Sequence, residues 1–260
     1  MLKRRLIPKL QICRSARTGQ VTLVTTTQFR ERTEIGSPVS QAKIYQAQAV
    51  DELVLLNIEP KVVDRALMLE TVSKAARELF MPLTVGGGVA QVKDFRALLM
   101  HGADKVAVNS AAIDTPELLS AAANVFGKQC VVASIDFRVE YDGRAKVFTH
   151  GGMVATDRDV RDWALECQRR GAGELILTSI DRDGMRNGLD VDVAREITSA
   201  VGIPVIFSGG CGVAAHFTQG FLEGGVDAVA SGTYFCLRDQ SPMQCRAHVK
   251  NAGLPIRLVV

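Results

Sequence analysis

Short apolar runs alternate with longer segments of helical spacing along the whole chain. The runs from Leu6 to Leu10, Glu52 to Ile58, Leu83 to Gly86, Lys105 to Asn109, Val131 to Asp136, Glu174 to Ile180, Val205 to Ser208 and Ala228 to Gly232 read as strands. Between them, Ala66 to Phe80, Val92 to His101, Pro116 to Phe126 and Arg158 to Arg170 carry apolar residues at helical intervals with polar faces opposite. Eight strand–helix units in 260 residues predict an α/β fold, a parallel (β/α)8 TIM barrel, whose usual length is ~250 residues. A doubly wound open sheet is the alternative, but it places its ligand at a single switch point.

The pattern repeats. Pro82-Leu83-Thr84-Val85-Gly86-Gly87-Gly88 returns as Pro204-Val205-Ile206-Phe207-Ser208-Gly209-Gly210, 122 residues later. Gly102-Ala103-Asp104-Lys105-Val106 pairs with Gly225-Val226-Asp227-Ala228-Val229, and Glu52-Leu53-Val54-Leu55 with Glu174-Leu175-Ile176-Leu177. One domain spanning 1–260 is expected, built from half-barrels of about 1–125 and 126–260. A strand ending in paired glycines lets backbone N–H groups approach an anion with no Cβ in the way. Two such turns, one in each half, point to two phosphates.

Composition changes this picture little. With 47% hydrophobic and 23% charged residues and no apolar run near the ~20 a membrane span needs, the chain reads as a soluble domain without a membrane role. Its net charge is +3, with no dense basic tract to suggest nucleic acid. Cys13, Cys130, Cys167, Cys211, Cys236 and Cys245 show no close paired spacing, and no secretory apolar core opens the chain, so reduced thiols in a cytoplasm are expected. His101, His216 and His248 fall on predicted helices at no metal-binding spacing, so neither a metal nor a cofactor is expected. Trp163, beside Ala164 and Cys167, reads as helix-to-barrel packing.

Leu6-Ile7-Pro8, Asp51-Glu52-Leu53, Thr84-Val85-Gly86-Gly87-Gly88, Ser134-Ile135-Asp136, Thr149-His150-Gly151-Gly152, Ser179-Ile180-Asp181-Arg182-Asp183-Gly184 and Ser208-Gly209-Gly210 together resemble the cyclase subunit of imidazole glycerol phosphate synthase. They fit it better than the phosphoribosyl isomerase of the same pathway. The resemblance covers nearly the whole chain. It implies a histidine-biosynthesis lyase reaction, in which a bisphosphate ribulosyl aminoimidazole takes up ammonia, supplied by a separate glutaminase subunit, and is split. It implies that one substrate phosphate rests on Gly87, Gly88, Asn109 and Ser110, and the other on Asp183, Gly184, Gly209, Gly210 and Thr233. Ammonia is implied to enter at the barrel bottom through a gate of Arg5, Glu52, Lys105 and Glu174, with Asp104 on the docking face.

The family reaction uses two aspartates, at the ends of the first and fifth strands. Asp136 supplies the second, but Gln11 stands in place of the first. A glutamine amide exchanges no proton at neutral pH, and losing a positioned acid or base typically costs ~10²–10⁴-fold in rate. Lys9 replaces a cysteine, Asn57 an aspartate and Thr25 a substrate-binding lysine, and the first loop, Cys13 to Thr27, is longer. One half of the site is thus altered while Asp136, Asp181, Asp183 and Ser208 remain. The pattern is similar to that of glycosyl amidation-associated paralogues, which channel ammonia for conversion of a sugar acetamido to an acetamidino group in surface polysaccharides, on a nucleotide-sugar-type substrate. A non-catalytic ammonia conduit or scaffold is a further alternative. A partnerless sugar-phosphate isomerase is disfavoured by the retained gate residues.

Overall fold

A computed structural model describes residues 3–59, 61, 63–237 and 241–257. In chain order the strands are β1 (Arg5–Arg14), β2 (Val21–Thr27), β3 (Glu31–Gly36), β4 (Leu53–Asn57), β5 (Leu83–Gly86), β6 (Lys105–Val108), β7 (Val131–Val139), β8 (Ala145–Thr149), β9 (Val154–Asp159), β10 (Glu174–Ser179), β11 (Val205–Ser208) and β12 (Ala228–Ser231). The helices are α1 (Pro38–Ala47), α2 (Arg65–Ala76), α3 (Val92–Met100), α4 (Ser110–Asp114), α5 (Glu117–Phe126), α6 (Val160–Arg169), α7 (Val191–Ala200), α8 (Ala214–Leu222), α9 (Thr233–Leu237) and α10 (Pro242–Asn251).

Strands β1, β4, β5, β6, β7, β10, β11 and β12 pair in parallel, and β10 returns to β7 while β12 pairs with β1, so the sheet closes. This is the eight-stranded TIM barrel expected from the apolar pattern. Period-two alternation explains how each strand serves both sides. On β1, Leu6, Leu10 and Ile12 pack outward against the helices, while Ile7 joins Val54, Ala107, Val132, Ile176 and Ile206 in filling the barrel's middle. Truncating one of these, such as Ile176→Ala, is expected to cost about 2–5 kcal/mol.

Three features differ from the sequence expectation. The segment read as a long first loop, Cys13 to Thr27, is largely strand: β1 runs on to Arg14, β2 returns antiparallel to it, and β3 pairs with β2. A matching excursion leaves the fifth barrel strand, where β7 runs on to Val139 and pairs with β8, and β8 with β9. The helix expected to Phe80 ends at Ala76, with Arg77 as its cap and Phe80 exposed beyond it. Trp163 is buried between α6 and the barrel, with Arg158 over its ring. All six cysteines are free thiols. Among the described residues no helix is long and apolar enough to cross a membrane.

The lower rim is stitched by side chains. Asp51 accepts the Leu6 N–H at 2.9 Å, Asp104 that of Leu83 at 2.8 Å and Asp227 that of Val205 at 3.0 Å. At the upper ends the paired glycines are forced by close approach. Gly87 has φ +100°, and a Cβ there would stand 2.1 Å from the Asn57 carbonyl oxygen. Gly209 has φ +99°, and its Cβ would stand 2.5 Å from the corresponding Ser179 oxygen. Only glycine accepts both the dihedral and the clearance.

Candidate active site

At the barrel bottom four charged side chains form a closed ring. Arg5 reaches Glu52 at 2.8 Å and Glu174 at 2.5 Å, and Lys105 reaches Glu52 at 3.0 Å and Glu174 at 2.7 Å. Thr84 donates its hydroxyl to Glu52 Oε1 at 2.7 Å. Both carboxylates are buried while the two cations stay partly exposed. Burial works against the Arg5 charge, and Glu174 and Glu52 outweigh it, raising its pKa. With two cations and two anions in alternation, each group offsets its neighbours' desolvation. The four residues predicted to meet at the bottom are therefore brought together.

The opposite end is arranged otherwise. Asp136, on β7, is half-buried and accepts a 2.7 Å hydrogen bond from Asn109 Nδ2. Burial pushes its carboxyl up to about 6; Lys9 opposes the rise, the negative charge of Asp183 adds to it, and hydrogen bonds from Asn109 and Thr178 oppose it. Asp183 is likewise pushed up by burial, against Lys9 and hydrogen bonds from Thr26 and the Phe29 N–H. Gln11 is 5% exposed. Its amide oxygen lies 3.2 Å from Thr26 Oγ1, and Thr26 also bonds Asp183. Strand β2 thus ties Gln11, at the end of the first barrel strand, to an aspartate of the other half.

Asp183, Gly184, Gly209, Gly210 and Thr233 line one pocket together with Ser208. Gly87 and Gly88 follow β5, while Asn109 and Ser110 follow its neighbour β6, so these turns lie at adjacent strand ends. Ser110 Oγ accepts the His150 N–H at 3.0 Å. Asn57 is spent locally, donating to the Val63 carbonyl and accepting the Glu59 N–H. Asp181 pairs with Arg138 at 3.1 Å, away from the carboxylate pair. Arg182 reaches the Gly188 carbonyl and Asp190, so its charge is engaged within its own loop. Above the barrel, Phe29, Arg30, Arg138, Phe148 and Met153 bound an open cleft of about 640 Å³ between the two strand excursions.

Sequence reasoning did not place Lys9 or Thr26 among the site residues. Lys9 had a visible signal, a charged residue at an inward-facing strand position, but its neighbours Asp136 and Asp183 are distant in the chain. Thr26 had none, being one of three consecutive threonines.

Fold and site together define a (β/α)8 barrel closed below by paired charges and open above to buried carboxylates ringed by glycine turns. The profile of the histidine biosynthesis protein family matches residues 5–240. A protein of Prochlorococcus marinus (strain MIT 9313) named "Putative imidazole glycerol phosphate synthase subunit hisF2" is 52% identical over 260 residues, covering 99% of both chains. The chain belongs to the histidine biosynthesis family, as a member of the imidazole glycerol phosphate synthase cyclase-subunit (HisF) group.

Proposed function

We propose that this barrel receives ammonia from a glutaminase subunit docked at its bottom, passes it through the Arg5–Glu52–Lys105–Glu174 ring and adds it to a small phosphorylated substrate held at the top. The observation that carries this reading is the contrast between a fully paired ring below and a buried, incompletely paired carboxylate site above, on one barrel axis. Gly87, Gly88, Asn109 and Ser110 take one phosphate and Asp183, Gly184, Gly209, Gly210 and Thr233 the other. Asp136 moves the proton: a carboxyl titrating at about 6 exchanges protons readily near neutral pH. Gln11 does not, so standard ring closure of the bisphosphate is slow.

The Gln11 amide, neutral and held by Thr26, favours a second acceptor over drift within the same reaction. In that reading the ammonia goes to a sugar acetamido carbonyl, whose oxygen leaves as water to give an acetamidino group, and ring closure is dispensable. Turnover of the bisphosphate substrate by the purified chain in concentrated ammonium salt decides between them. Clear turnover assigns the chain to the histidine pathway. Binding without turnover assigns it to amidination. A glutaminase whose activity is the same with and without the barrel would overturn the ammonia-receiving role in both.

A further inference from the structure

Lys9 sits in the upper site, its one ion pair among the described residues a long one to Asp183. It is 3% exposed on β1, two residues above Ile7 of the barrel-filling layer and two below Gln11, so its side chain points inward. Its contact with Asp183 Oδ1, at 3.9 Å, is too long for a hydrogen bond. Among the described residues the ammonium makes no hydrogen bond, although it carries three donors. Its charge opposes the upward shifts of Asp136 on β7, Asp183 in the loop after β10 and Cys211 in the loop after β11. Asn109 Oδ1, Ser179 Oγ and Ser208 Oγ, at the upper ends of three other barrel strands, are also buried without partners. Buried polar groups left open cost free energy unless a ligand meets them. This cluster is therefore shaped for a polar ligand that offers an acceptor to Lys9.

We propose that Lys9 is a catalytic acid that activates a substrate carbonyl for ammonia addition, which makes the acceptor a ketone or carboxamide. The inference rests on the ammonia-receiving role above. As the ammonia nitrogen bonds to the carbonyl carbon, the C=O π pair moves to oxygen, and that oxygen takes a proton from the Lys9 ammonium. The Asp136 carboxylate takes a proton from the nitrogen, leaving a neutral tetrahedral adduct, and the Asp136 proton then restores the Lys9 ammonium. The barrel thus has its second proton carrier on the strand where Gln11 has none.

The test is infrared spectroscopy of the bound carbonyl, without ammonia, using the bisphosphate cyclase substrate labelled at its keto carbon and uridine diphosphate N-acetylglucosamine labelled at its acetamido carbon. With whichever probe binds, the wild-type carbonyl stretch is expected at lower frequency than in solution, returning to the solution value in Lys9→Met. Lys9→Arg is expected to keep the shifted band but lose ammonium-dependent kcat by ~10²-fold or more at little-changed KM, because a guanidinium donates hydrogen bonds without releasing a proton. A bound carbonyl at its solution frequency in the wild-type chain would overturn the role of Lys9 alone, whatever the variants do. Binding of neither probe would overturn the proposed function, and the carbonyl at Lys9 with it.

Discussion

The two ends of this barrel spend charge in opposite ways. Below, Arg5, Glu52, Lys105 and Glu174 satisfy one another in a ring of short contacts. Above, Lys9, Asp136 and Asp183 share a buried space with one contact of 3.9 Å between them, and three nearby polar atoms have no partner. The paired end is stable as it stands and must be opened to pass anything. The upper end is only partly paired, and its open groups carry an electrostatic cost. Ion-pair counting would call both ends charged clusters; their hydrogen bonding separates a closed ring from a partly open site.

Removing the upper carboxylate tests the contrast most strongly. Asp136→Asn is expected to lower ammonium-dependent turnover by ~10²–10⁴-fold. It should also stabilise the fold at neutral pH. The folded carboxyl titrates at about 6 against an ordinary 3.8, so the native state binds more protons than the unfolded state between those values. The stability this gives is fully present below 3.8 and is lost as pH rises through 6. The asparagine variant lacks that slope and gains on the wild type across the window by up to about 3 kcal/mol, read from denaturant midpoints at pH 4 and pH 7.5.

At the other end the sign reverses. Glu52→Ala leaves Arg5 and Lys105 each short of a partner beside the buried Glu174, and is expected to cost about 3–5 kcal/mol in chemical denaturation. In the folded fraction it should slow glutamine-dependent turnover more than turnover on free ammonium. Equal slowing of the two would remove the gate role.

Adding a carboxylate to the first barrel strand is a smaller step. Under the proposed function, Gln11→Asp is expected to raise bisphosphate turnover by about tenfold or more, since it puts a proton acceptor on β1. No increase, with substrate still bound, would show that the altered first excursion has reshaped that half of the site. The mildest change is Thr26→Val, which removes the hydroxyl bridging Gln11 and Asp183. It should cost roughly 1–3 kcal/mol and move the Asp183 titration further upward, measured by carboxyl carbon resonance against pH.

The eight barrel strands were legible because each is a compact apolar run followed by a helix, and the 122-residue repeat marked the glycine turns twice. The excursions β2–β3 and β8–β9 were not. Strands that pair antiparallel beyond the barrel mouth have no helix of their own, and in a (β/α)8 reading Val21–Thr27 and Ala145–Thr149 pass for loop. The charged ring at the bottom was found from four residue identities, and its contacts then follow from the positions on β1, β6 and β10 and from Glu52 just before β4. The significance of Lys9 was harder. Its identity and inward position are in the sequence, but its lack of hydrogen bonds and its placement between Asp136 and Asp183 arise only when β1, β7 and the loop after β10 converge.

One feature of the backbone bears on how such a site changes over time. The turns at Gly87 and Gly209 are held against the Asn57 and Ser179 carbonyls by clearances that exclude a Cβ, and β1 has no side chain in either clearance. They are fixed fittings on a chassis. Residues 9 and 11 can be exchanged like tools in a holder without moving those fittings, so this barrel can acquire new chemistry one half at a time.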